Sequence, residues 1–92
     1  MSRGSESLAS SILRTTEDTN ETGDFLVFYD FKTRATAVFY TNLKKIQHEL
    51  QDGVRIQKSV IQCKKLCTAR AIKKLAEHYK ADVLLFKVEL RE

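Results

Sequence analysis

Asp30 is the residue of this chain best placed for chemistry. It closes the run Asp24-Phe-Leu-Val-Phe-Tyr-Asp-Phe31, and sites in open α/β sheets collect at the carboxyl ends of strands. A carboxylate there, between Tyr29 and Phe31, suits a hard cation such as Mg²⁺, which prefers oxygen ligands. It equally suits a structural role, accepting the free backbone N–H groups that open the next helix. One carboxylate per chain is too few for metal-assisted phosphodiester cleavage. A symmetric dimer that brings two Asp30 side chains together would supply the missing ligand.

A second group of polar side chains follows at Arg55, Gln57, Lys58 and Ser59. Arginine and lysine contact phosphate, and serine and glutamine hydrogen-bond sugar or phosphate oxygens. The same residues also make an ordinary solvated strand face. Lys64, Lys65, Arg70 and Lys74 add positive charge around a later helix. Tyr29 and Tyr40 offer rings for base stacking, although rings within strands and helices more commonly pack in cores.

Other chemistries find little footing. The three glycines are isolated, so there is no phosphate-cradling loop, and no H-E-x-x-H, G-x-S-x-G or EF-hand pattern occurs. Cys63 and Cys67 are four apart with no second pair to complete a zinc site, and read as packing groups. His48 and His78 each sit among polar residues on a helix and read as solvated.

The elements that must position these residues follow from periodicity. Residues 24–31 are dense in aromatic and β-branched residues, as in a central strand. Thr33 is placed to cap a helix in which Ala35, Val38, Phe39, Leu43, Ile46 and Leu50 recur at helical spacing, ending at Asp52-Gly53. Lys44 and Lys45 lie off this stripe.

Residues 54–63 alternate, but the apolar set changes face midway. That predicts a bend or reversal near Gln57–Ser59, with one bent strand and two short strands both open readings. A second helix spans about Leu66 to Tyr79, with Ala69, Ile72, Leu75, Ala76 and Tyr79 towards the core. A final strand, residues 83–90, alternates in its second half with Lys87 and Glu89 opposite Phe86 and Val88, as at a half-exposed edge. The order β-α-β(β)-α-β predicts an α+β ferredoxin-like sandwich: an antiparallel sheet with two helices on one face.

Charge divides the 92 residues in two. Residues 1–23, rich in Ser, Thr, Glu and Asn, carry two basic and four acidic side chains and read as a flexible polar tail, with one docked turn of helix through Leu8, Ala9, Ile12 and Leu13 as the alternative. Residues 24–92 form the folded domain, with 14 basic and eight acidic side chains, a net +6 that favours polyanionic partners. No apolar run approaches the roughly 20 residues of a membrane span, and no signal-peptide core follows Met1. A cytoplasmic protein with no membrane partner is expected.

The pattern Val27-Phe-Tyr-Asp30, the nearby Arg34, an amphipathic helix and then Arg55-Ile-Gln-Lys-Ser-Val60 resembles the Cas-two family. These are the small CRISPR-associated subunits of spacer acquisition, with relatives among VapD-type toxins. The resemblance covers residues 24–90. It implies a ferredoxin-like homodimer that binds nucleic acid, with duplex DNA the favoured partner and RNA the alternative. It also implies an integrase subunit as partner in antiviral defence and, in some members, Mg²⁺-dependent endonuclease activity. By matching position, Asp30 would hold the metal, while Arg34, Gln57 and Ser59 would line the nucleic-acid face or the dimer interface. Ile61 stands where the family usually has Phe, Cys63 where an acidic or small residue is commoner. A non-catalytic DNA- or RNA-binding regulator on the same scaffold is the alternative. A third reading is a protein-interaction or small-ligand domain whose surface is merely basic.

Overall fold

A computed structural model describes residues 7–17, 19–33 and 36–89. Seven elements follow in order: α1 (Leu8–Thr15), β1 (Thr22–Asp30), α2 (Ala37–Leu50), β2 (Val54–Gln57), β3 (Val60–Lys65), α3 (Leu66–His78) and β4 (Asp82–Val88). The strands form one sheet in the order β2-β3-β1-β4, with every neighbouring pair antiparallel. Helices α2 and α3 each connect strands that are separated in the sheet by one other strand. This is an α+β fold compatible with the ferredoxin-like arrangement, with one further helix ahead of it.

Strand β1 is central because it is apolar on both faces. Phe25, Val27 and Tyr29 point to the helices and are buried. Alternate residues Leu26 and Phe28 point to the opposite face, which no helix covers. From β3, Ile61 and Cys63 complete the buried side. From α2 come Phe39, Leu43 and Ile46, and from α3 Ala69, Ile72, Leu75 and Ala76. Phe39 is the hub, its ring within 4.9–6.0 Å of Tyr29, Phe31, Tyr40 and Tyr79.

Residues 54–63 form two strands, with the chain reversing at Lys58 and Ser59. The register shifts between Arg55 and Gln57, a bulge that accounts for the change of apolar face. Gly53 ends the α2–β2 turn at φ +95°, and an added Cβ there would lie 3.3 Å from Ile72 Cδ1. Only glycine meets both conditions without strain.

Four expectations are corrected. The segment expected to be a tail contains α1. Ser7 caps the helix by accepting the Ser10 N–H, Ala9 and Ile12 are buried, and Asn42 of α2 accepts the Ala9 N–H at 3.0 Å. Four apolar residues, Leu8, Ala9, Ile12 and Leu13, supply a stripe that suffices once α2 and α3 receive it. The cap of α2 is Thr36, which accepts the Phe39 N–H, rather than Thr33, because the loop after β1 runs further before turning. Val38 is 56% exposed, since it shares the outward turn of α2. Phe86 lies on the uncovered face, 49% exposed, whereas Lys87 lies on the helix side, because β4 pairs with β1 so that Phe86 faces Leu26. The expected core residue Ala35 lies outside the described residues.

Candidate nucleic-acid interface

The turn between β2 and β3 is fastened to the end of β1. The Tyr29 hydroxyl donates to the Lys58 carbonyl oxygen at 3.2 Å, and the Tyr29 N–H donates to the Ser59 carbonyl at 3.1 Å. Burial is the chief influence on the Tyr29 phenol and raises its pKa above the usual 10.0, so it remains a donor at neutral pH. These two bonds set Lys58 and Ser59 beside Asp30. Tyr29, Asp30, Phe31, Thr33, Tyr40, Lys58 and Ser59 line a cleft of about 430 Å³.

Arg55, on the helix side of β2, lies over the Tyr40 ring, its Cζ 5.4 Å from the centroid. A guanidinium held on an aromatic face keeps its edge N–H groups free for phosphate. Tyr40 thus serves as the seat of an arginine, with one ring face already occupied. Among the described residues, neither Arg55 nor Lys58 forms an ion pair. Gln57 stands at the outer end of β2, opposite Val60 on the uncovered face.

Asp30 has a neighbour that the sequence reading did not assign. Asp82, the first residue of β4, is its cross-strand partner, and both are exposed. Directly opposed side chains lie on the same face, Cβ atoms about 4.5–5.5 Å apart. Asp30, Asp82, Ser59, Val60, Phe28 and Leu84 border a second cleft of about 650 Å³ on the uncovered side. Two carboxylates and a hydroxyl form an oxygen-only donor set that fits a hard divalent cation with water completing the shell. Among the described residues no group of three or more His, Cys, Asp or Glu converges. The signal for Asp82 was available: in the expected topology β1 and β4 are antiparallel neighbours, so the end of one meets the start of the other.

Four further cations of the expected set, Lys64, Lys65, Arg70 and Lys74, lie elsewhere and are engaged. Lys64 Nζ is 2.6 Å from Asp24 Oδ1; this charged hydrogen bond, with the attraction behind it, holds the Asp24 carboxyl below the usual value. Lys65 Nζ donates to the Leu50 carbonyl. Arg70 pairs with Glu17 at 3.3 Å, and Lys74 donates to the Thr15 carbonyl at 3.1 Å. Arg34 lies outside the described residues. The expected basic set therefore divides: Arg55 and Lys58 join Asp30 and Ser59 at one end of the sheet, and Lys64, Lys65, Arg70 and Lys74 do not.

The other candidates behave as their chemistry suggests. Cys63 and Cys67 are free thiols, one on β3 and one on α3. Burial above all, with the nearby Asp52 and Cys67 charges, pushes the Cys63 thiol up to about 12. It is an inert packing group at neutral pH. His48 and His78 are exposed in the last turns of their helices. Among the described residues no helix is long and apolar enough to cross a membrane. No protein-family model, curated protein or solved structure matches this chain.

Proposed function

We propose that this chain binds nucleic acid as a homodimer, in the manner expected of a Cas-two-like protein, with duplex DNA as the favoured ligand. The observation that carries the reading is the fastening of Lys58 and Ser59 beside Asp30, with Arg55 seated on Tyr40. Two cations without ion pairs among the described residues and a hydroxyl at one sheet end are the groups that contact a phosphate backbone, which supplies most nonspecific affinity.

The dimer half of the proposal rests on the uncovered sheet face. Leu84, Phe86 and Phe28 are 60%, 49% and 37% exposed, and the two phenyl rings meet edge to face at 5.7 Å. A contiguous apolar patch of this kind marks an interaction surface. A two-fold axis along the strands would pack two such faces and bring the Asp30–Asp82 ends of both copies together. Four carboxylates would then be available to Mg²⁺, which supplies Lewis-acid stabilisation of phosphoryl oxygens and an activated water. The chain's own residues would hold the metal through Asp30 and Asp82 and hold the backbone through Arg55 and Lys58. An integrase partner and a cytoplasmic setting belong to the same reading.

A non-catalytic binder is the second reading, favoured by the presence of only two carboxylates at the site of each copy. A gel assay on duplex DNA, single-stranded DNA and RNA, with and without Mg²⁺, separates the two. Cleavage products lost in both Asp30→Asn and Asp82→Asn, with retardation retained, make the protein a nuclease. Retardation without products in wild type makes it a scaffold. Products that persist in both variants contradict the carboxylate assignment.

A further inference from the structure

At the β4 edge of the sheet, far from the β2–β3 turn in strand order, α3 and β4 enclose a groove of about 380 Å³ lined by Arg70, Lys73, Lys74, Glu77 and Leu85. Lys87 follows Leu85 on the same side of β4. Three cations therefore line the groove with Lys87 next along β4, and α3 sets a single carboxylate against them, Glu77 on Lys73 at 2.9 Å. The other partners come from the last residue of α1 and the segment between α1 and β1. Glu17 meets Arg70 at 3.3 Å, Glu21 meets Lys87 at 3.2 Å, and the Thr15 carbonyl accepts from Lys74. Docking of α1 on α2 and α3, fixed by the Asn42–Ala9 hydrogen bond, is what places this segment there.

We propose that the α3–β4 groove is a second surface for phosphate-bearing chains, and that Glu17 and Glu21 occupy cations at its rim in the free protein. The inference rests on the nucleic-acid reading above and adds a control to it. All the pairs are exposed. Exposed pairs are weak and screened by salt, so a polyanion offering several phosphates at once displaces them. Glu17 and Glu21 act as an internal competitor: the groove engages nucleic acid only when the ligand outbids two carboxylates already tethered at high local concentration.

Fluorescence anisotropy of a labelled duplex DNA, titrated with the full chain over a salt series, tests this. Glu17→Gln/Glu21→Gln is expected to tighten binding about three- to tenfold at low salt and to steepen the salt dependence, because two further cations release counterions. Glu49→Gln/Glu89→Gln removes the same charge from exposed carboxylates that pair with none of these cations among the described residues, and is expected to give a smaller gain. Adding Arg70→Glu/Lys74→Glu to the first variant should abolish its advantage. A gain no larger than that of the control pair, or one that survives Arg70→Glu/Lys74→Glu, overturns the groove. If the chain binds through Arg55 and Lys58 while Glu17→Gln/Glu21→Gln changes nothing, the groove falls and the turn site stands. If the gain appears but Arg55→Glu/Lys58→Glu has no effect, the turn site falls alone. Absence of binding by every variant overturns both.

Discussion

Asn42 shows how one buried polar residue decides the placement of a whole segment. It is 6% exposed. Its Nδ2 donates to the Val38 carbonyl of its own helix, which orients Oδ1 towards the Ala9 N–H at the start of α1. A helix start has four N–H groups without intrahelical partners, and a buried one left unpaired is costly. Asn42→Ala is expected to destabilise the protein by about 1–3 kcal/mol in urea denaturation. It should also free α1, which faster amide exchange at Ala9 and Ile12 would register. Unchanged exchange there would show that apolar packing alone holds the helix. Asp30 illustrates the opposite kind of legibility. Its strand-end position was plain from the apolar run before it, but its partner Asp82 lies 52 positions away in sequence and appears only when β1 and β4 pair.

At the scale of elements, the central strand, both long helices and the reversal at Lys58–Ser59 were readable, because each rests on local periodicity. Helix α1 was not. Its eight residues are too few for a stable isolated helix, and its stability comes from tertiary docking that composition does not express. The start of α3 at Leu66 was readable, but what fastens it was not. Lys65, its cap residue, makes no side-chain cap bond. Asp52, from the turn after α2, instead accepts the backbone N–H groups of Lys64 and Lys65 at 2.9 Å each. Burial pushes the Asp52 carboxyl up, but those bonds and the Gly53 N–H outweigh it and the pKa lies below the ordinary 3.8. A carboxyl lowered on folding adds stability above its unfolded pKa and loses it as pH falls through the folded value. Asp52→Asn is therefore expected to lower the Tm at pH 7, with the two proteins converging as the pH drops below 3.8. A difference that is constant with pH would mean that shape and not charge matters at this turn.

Across the whole molecule, one sheet face is covered by α2 and α3, with α1 docked on these two helices, and among the described residues no helix covers the other. The sequence showed that β1 was apolar on both sides and that the last strand was a half-exposed edge, as β4 is, but not that Phe86 faces away from the helices, since facing depends on pairing register. Phe86→Glu places a charge in the apolar patch that Phe28, Leu84 and Phe86 form on that face. It is expected to shift a dimer to monomer in analytical ultracentrifugation while leaving the far-ultraviolet circular dichroism unchanged. Wild-type protein that sediments as a monomer at all concentrations would remove the sheet face as a self-association surface. The charge distribution is also a property of the whole chain. At the β4 side Arg70, Lys73, Lys74 and Lys87 are met by carboxylates and a carbonyl, whereas Arg55 and Lys58, on and after β2, form no ion pair among the described residues.

The most direct test of the account is the salt dependence of duplex DNA binding by wild type and by Arg55→Glu/Lys58→Glu. Loss of two phosphate contacts is expected to weaken binding about tenfold or more at low salt and to flatten the log–log salt slope by about two. Equal affinity and equal slope in the two proteins would contradict it, and would place any nucleic-acid surface away from the β2–β3 turn.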